Sequence, residues 1–221
     1  MMISEKLNKL QNDMPENVTL VAVSKTKPIE DLKDAFEAGQ RVFGENKVQE
    51  MCAKWERLPK EIEWHFIGHL QRNKVKYLAS FVGLIHGVES FRLLKEINKQ
   101  AKKNDRTIDV LLQFFIANEE AKFGLSFEEA KTMLQSDEFK SLDNVCIRGV
   151  MGMATFTDEK EQIKREFSGL KKIHQELSTD FFNEQTNFDV ISMGMSGDYK
   201  IAIEEGSTMI RLGSSIFGKR D

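Results

Sequence analysis

From one end to the other the chain alternates short apolar runs with longer amphipathic stretches, and this rhythm limits the folds open to it. The run LVAVSK, residues 20–25, is followed by a helical period over residues 29–38, with Gly39 just past its end. The pattern repeats as RVFGE before NKVQEMCAKWERL, EWHFIG before QRNKVKYLASF, and LIHGV before SFRLLKEINKQAKKN. TIDVLLQFF then leads into SFEEAKTMLQS, VCIRGVMG into DEKEQIKREFSGLKKIHQEL, and DVISMG into SGDYKIAIEE, while TMIRLGSSIFG closes the series. Runs such as VAV and DVLLQFF are nearly continuous in apolar residues, as in strands covered on both faces. Eight strands, each except the last clearly followed by a helix, predict a parallel sheet closed into a (β/α)8 TIM barrel, with residues 1–221 as a single domain.

Composition narrows the partners. A net charge of -3 leaves no broad basic footprint for nucleic acid or an anionic membrane. The two cysteines, Cys52 and Cys146, stand far apart and form neither a disulfide framework nor a metal-ligand motif, so a reducing cytoplasm and no metal are expected. The opening MMISEKLNKLQNDM lacks the apolar core of a secretion signal, and no apolar run approaches the roughly 18 residues of a membrane span. The expected partner is a small molecule. A barrel that closes on itself suits a monomer.

In such a barrel, chemistry gathers at the C-terminal strand ends. Lys25 ends the first strand, on the same side as Val21 and Val23 by the period of two. On its own it reads as a rim lysine whose stem covers apolar surface. Two glycine and serine clusters follow the last two strands. In ISMGMSGDYKIAIEEG, Ser196 and Gly197 fall at a helix start, where the serine either caps the helix or joins its amides in receiving a phosphate. In RLGSSIFG, Gly213 lets the backbone come close while Ser214 and Ser215 offer hydroxyls and amides. Barrels bind phosphate between these two loops. Asp198 is expected in the first helical turn, where its charge suits the helix dipole. Arg211 interrupts an apolar strand and needs an acceptor, either a carboxylate or a ligand. An amine, a phosphate cradle and a guanidinium together suit a phosphorylated carbonyl compound held as an imine, and pyridoxal 5'-phosphate is the candidate.

The segments SKTKP, FGENKVQE, WHFIGHLQRNK, RGVMGMA and SMGMSGDYKIAIEEGSTMIRLGSSIFG resemble, in order over nearly the whole chain, the pyridoxal phosphate homeostasis protein family. That family is similar to the N-terminal barrel of alanine racemase and lacks the racemase's second, β-rich domain. The resemblance implies a TIM barrel of the alanine racemase N-terminal type with an internal aldimine on Lys25. It also implies a phosphate-binding turn at Ser196 and Gly197, joined by Gly213 and Ser214, Arg211 facing the pyridine nitrogen, and Asn46 lining the pocket. The family usually shows a polar segment after strand five, where this chain has Phe114 and Phe115.

An arginine only donates hydrogen bonds, so a ring nitrogen facing it stays an acceptor and the ring is a poorer electron sink. The expected function is therefore a non-catalytic one, intracellular homeostasis of the cofactor by buffering or delivery, with pyridoxal-dependent apoenzymes as recipients. The alternative is an amino-acid racemase of weak activity. A racemase needs an acid or base on the face opposite the lysine; His65 and His69 are the candidates, and His65, between Trp64 and Phe66, reads first as structural. No metalloprotease helix, nucleophile elbow or phosphate-loop motif offers another reaction.

Overall fold

The computed structural model describes residues 2–117 and 124–218. Eight parallel strands close into a barrel in the order of the sequence, β1 hydrogen-bonded to β8. They are β1 Thr19–Val23, β2 Val42–Glu45, β3 Glu63–Phe66, β4 Leu84–Val88, β5 Ile108–Gln113, β6 Val145–Met151, β7 Val190–Ser192 and β8 Met209–Leu212. Around them run α1 Ile3–Asp13, α2 Ile29–Glu37, α3 Val48–Arg57, α4 Val75–Leu78, α5 Phe91–Lys103, α6 Phe127–Gln135, α7 Asp137–Lys140, α8 Lys160–Phe181, α9 Tyr199–Glu204 and α10 Ser214–Phe217. Among the described residues no helix is long and apolar enough to cross a membrane.

Alternation along each strand sorts side chains into two compartments. The outward set, including Ala22, Phe43, Trp64 and Ile85, packs under the helices in one continuous core. The inward set forms a small apolar layer of Val21, Leu84, Leu111, Met151 and Met209. Above and below this layer the interior is polar: Glu63, His65, His86, Gln113, Ser192 and Arg211 all belong to strands. A bulge in β6, where Leu111 pairs with Gly149 after Val110 pairs with Ile147, leaves Arg148 extra in the ladder. Arg148 joins Asp109 at 2.7 Å and Asp189 at 3.4 Å across the base of the barrel.

Helix ends follow local chemistry. Ser90 Oγ accepts from Leu93 N–H and Ser126 Oγ from Glu129 N–H, capping α5 and α6. After α2, Gly39 takes a φ of 98°, which turns the chain into β2. The phenylalanines in the segment after β5 divide: Phe114 is buried in the outer core rather than in a pocket wall, and Phe115 is half-buried.

Candidate functional site

Four neighbouring strands of the closed barrel, β7, β8, β1 and β2, carry every residue singled out for the site. Arg211 lies within β8, Gly213 and Ser214 follow that strand, and Ser196 and Gly197 form the turn after β7. Asn46 follows β2 directly; a Cβ at Gly68, past β3, would stand 2.6 Å from the Asn46 carbonyl oxygen, so those two strand ends touch.

Lys25 departs from its expected place. The β1 ladder ends at Val23, and Lys25 is half-buried in the turn beyond, which Lys27 N–H closes on Ser24 O at 3.0 Å. The strand stops because Thr26 takes a left-handed φ of 66°. Lys25 is thus held by a turn at the rim, not by strand alternation with Val21 and Val23.

The turn is clamped from the helix layer. Lys54 Nζ on α3 donates to Ser24 O at 2.8 Å, to Glu45 Oε1 at 2.7 Å and to Glu50 Oε1 at 2.8 Å, while Ser24 Oγ donates to Glu45 Oε1 at 2.6 Å. Burial pushes the Glu45 carboxyl up, and Lys54 and Ser24 pull it back. Its second oxygen, Oε2, is buried with no hydrogen-bond partner among the described residues.

Asp198 also differs from expectation. It precedes α9 rather than lying in its first turn, and its Oδ1 accepts from Met195 N–H at 2.5 Å, closing the turn that contains Ser196 and Gly197. Ser196 therefore stands outside the helix and does not cap it. Burial raises the Asp198 carboxyl, with the Met195 N–H and the Arg211 charge acting against that.

Arg211 is the decisive group. Only 5% of it is exposed; Nη1 donates to Ser192 Oγ at 2.6 Å and Nη2 to Gly152 O at 3.1 Å. Among the described residues no carboxylate is ion-paired with it, so the carboxylate alternative raised by the sequence does not apply. Burial lowers its pKa to about 10, with Asp198 opposing, which leaves it charged at neutral pH. A buried cation with no carboxylate in contact is costly unless something else supplies acceptors.

The adjoining turns have room for such a group. A Cβ on Gly197 would meet no atom within 4 Å, so packing does not demand glycine there. At Gly213 the backbone runs beside β1, a Cβ lying 3.2 Å from Val23 O. The amides of Ser214 and Ser215 begin α10, where a helix has no internal acceptor for them. A buried guanidinium, a roomy glycine turn and open amides form a donor set that fits a phosphorylated ring with an acceptor nitrogen. The two histidines weighed for acid–base work lie elsewhere: His65 is inside β3, bonded to Glu63 and His86, and His69 is exposed and joined to Glu89 at 2.8 Å.

Sequence reading missed Lys54, Glu45, His86 and Ser192. The only signal for the last two was a polar residue inside an otherwise apolar strand, the signal that did identify Arg211.

The family profile of the alanine racemase N-terminal domain matches residues 2–221. A pyridoxal phosphate homeostasis protein of Vibrio alginolyticus is 38% identical over 212 residues, covering 94% of this chain and 88% of that one. A protein of the same name from Aquifex aeolicus is 39% identical over 202 residues, covering 91% and 86%. The structure of PipY from Synechococcus elongatus, with PLP bound, superposes with a TM-score of 0.88 at 32% identity, covering 98% of this chain and all of that one (100%). Alanine racemase of Clostridium difficile shares the fold at 14% identity with a TM-score of 0.79, this chain spanning 56% of its length. With a barrel of the alanine racemase N-terminal type along its length and relatives of one name at these identities, the chain belongs to the pyridoxal phosphate homeostasis protein family.

Proposed function

We propose that this chain binds pyridoxal 5'-phosphate at the mouth formed by β7, β8, β1 and β2, and that it holds and releases the cofactor rather than turning over a substrate. The observation that carries the reading is Arg211, a buried guanidinium at a strand end with no paired carboxylate among the described residues. The names of the relatives and the PLP-bound PipY structure support the choice of ligand. Ser196, Gly197, Gly213 and Ser214 receive the phosphate, Arg211 donates to the ring nitrogen, and Asn46 borders the ring. Lys25 would supply the amine that condenses with the aldehyde with loss of one water; water would reverse that step and free the cofactor, while a competing amine would displace Lys25 and carry the cofactor off as its own imine. When bound, the cofactor contributes an electrophilic carbon conjugated to a ring that can accept electrons. A donor-only arginine at the ring nitrogen limits that capacity without weakening retention.

Racemase chemistry finds no support from the two histidines considered, since His65 is committed inside the barrel and His69 is at the surface beside Glu89. Delivery to pyridoxal-dependent apoenzymes follows from reversible retention. The free thiols Cys52 and Cys146 fit a reducing compartment such as the cytoplasm. A barrel without sheet edges fits a monomer.

Borohydride reduction of the protein saturated with pyridoxal 5'-phosphate, followed by peptide mass spectrometry, tests the site. A stable adduct on Lys25, lost in Lys25→Ala, is expected; an adduct on another residue, or none, defeats the reading. Sustained racemisation of single L-amino acids at ordinary enzymatic rates would replace the carrier role by an enzymatic one.

A further inference from the structure

A line of hydrogen bonds crosses the barrel interior from Arg211 to the base. Arg211 Nη1 donates to Ser192 Oγ at 2.6 Å, Ser192 Oγ lies 3.0 Å from His86 Nδ1, and His86 Nε2 lies 3.0 Å from His65 Nδ1. His65 Nε2 then lies 2.8 Å from Glu63 Oε1. Ser192 and His86 are wholly buried and His65 nearly so, whereas the Glu63 side chain is 56% exposed. Glu63 opens onto a basal cavity of about 530 Å³, shared with Asp109, Arg148 and Asp189. There the two aspartates engage Arg148, and Glu63 is left to His65.

The two ends of the line fix its direction. A guanidinium only donates and a carboxylate only accepts. Ser192 Oγ receives the Arg211 hydrogen and keeps its own proton to give; with uncharged rings the carboxylate end sends that proton to His86 Nδ1. His86 then carries its own proton on Nε2 and donates to His65 Nδ1, and His65 carries its proton on Nε2 and donates to Glu63. With both rings as Nε2–H tautomers, every member of the line has its partner. Two imidazoles and a hydroxyl inside a barrel have a desolvation cost that Leu or Met in the same layer would avoid. Their satisfied, one-way order is what sets them apart from core filling.

We propose that Glu63, His65, His86 and Ser192 are positioning residues for Arg211, an oriented donor line that fixes the guanidinium in β8 so that the hydrogen-bonding sense at the barrel base governs the environment of a cofactor ring held at the mouth. The ring half of this statement rests on the function proposed above; the line itself does not.

Imidazole nitrogen NMR of the full chain without cofactor tests the line directly. Neutral Nε2–H rings are expected for both His65 and His86; an Nδ1–H ring or an imidazolium at neutral pH at either position overturns the proposal. Glu63→Gln keeps an acceptor and should preserve both tautomers. Glu63→Lys puts a donor at each end of the line and should convert at least the His65 ring. In the cofactor-loaded protein, Glu63→Lys should displace the absorption and fluorescence bands of bound pyridoxal 5'-phosphate while Glu63→Gln leaves them in place, both with the wild-type yield of borohydride-stable adduct on Lys25. Bands and tautomers unmoved by Glu63→Lys would overturn the proposal. Absence of the Lys25 adduct from the wild type defeats the reading of the mouth instead, and the tautomers of the unloaded protein then decide the line alone. They also decide it if Glu63→Lys fails to fold.

Discussion

Thr26 N–H donates to Glu50 Oε1 at 2.6 Å, tying the residue after Lys25 to α3. On the other side of Lys25, Lys54 from the same helix holds the Ser24 carbonyl. Both peptide groups that flank the lysine are therefore fixed by one helix. Burial works against ionisation of Glu50, but the bonds from Lys54 and Thr26 outweigh it and hold that carboxyl below its ordinary value. The left-handed turn at Thr26 is maintained by charged groups in the layer behind the barrel.

Removing Lys54 exposes the cost of that arrangement. Lys54→Met leaves Glu45 buried without its cation and should destabilise the fold by about 3–5 kcal/mol, with Glu45→Gln in the same chain restoring part of the loss. In the single variant the Glu45 pKa rises further above its ordinary value of 4.5. A carboxyl raised in the folded state contributes stability below its unfolded pKa and loses it as pH rises through the folded pKa. Relative to wild type, Lys54→Met should thus gain stability as pH falls from neutrality toward 4.5. Urea unfolding at several pH values measures this, and a deficit independent of pH would contradict it.

His86 gives the opposite pH dependence. Burial above all, with the Arg211 charge acting in the same direction, pushes its imidazole well below the ordinary 6.5. The unfolded chain takes up a proton near that pH and the folded chain does not. Stability is therefore complete above 6.5 and falls below it, by up to about 1.4 kcal/mol per pH unit. His86→Gln should flatten the decline between neutral pH and pH about 5. His174 is also depressed, chiefly by burial, but is common to both proteins and cancels in the comparison. Parallel curves for the two proteins would refute the assignment.

Glycine at the β6 bulge is required by its surroundings. Gly149 has a φ of 149°, and a Cβ there would lie 1.9 Å from Val190 O. Gly149→Ala should destabilise by about 3 kcal/mol or more, from backbone strain and a clash against a rigid strand. Gly169, inside α8, is the control: a Cβ would meet nothing within 4 Å, and Gly169→Ala should stabilise by about 0.5–1 kcal/mol. Thermal melts of the two variants should move in opposite directions.

At the mouth, Ser196→Ala should weaken retention of pyridoxal 5'-phosphate by about 1 kcal/mol or somewhat more, the scale of a hydrogen bond to a charged group. Arg211→Ala should still permit reaction at Lys25 but alter the bound chromophore's spectrum. Equilibrium dialysis and absorption spectra check both, and affinity and spectrum unchanged in both variants would mean the pocket is misplaced.

The eight strands and their order were legible because each apolar run is short and is followed by a helical period. Less legible was what each strand turns inward. Both faces of a barrel strand are covered, so the alternation that normally separates core from solvent has no contrast, and His86 and Ser192 passed as parts of apolar runs. Helix α1 was not anticipated, although Leu7 and Leu10 are spaced for one buried face. The end of β1 was misplaced because its terminus is set by the Thr26 backbone and by Lys54 and Glu50, some 30 residues away in sequence, which no local pattern reveals. The glycine and serine turns are legible because their composition is local; the closure by Asp198 is not, because α9 begins at Tyr199, just after that residue, rather than at Ser196.

The first strand bonds to the last, Thr19 beside Met209 and Val21 beside Arg211. A ribosome making this protein releases the turn after β1 early and the β8 strand only much later. During that interval β1 has its β2 partner available but not its β8 partner, and the sheet stays open. A chain that stops short of β8 therefore leaves β1 and β7 each with an unpaired edge, and the barrel gains its last two seams together.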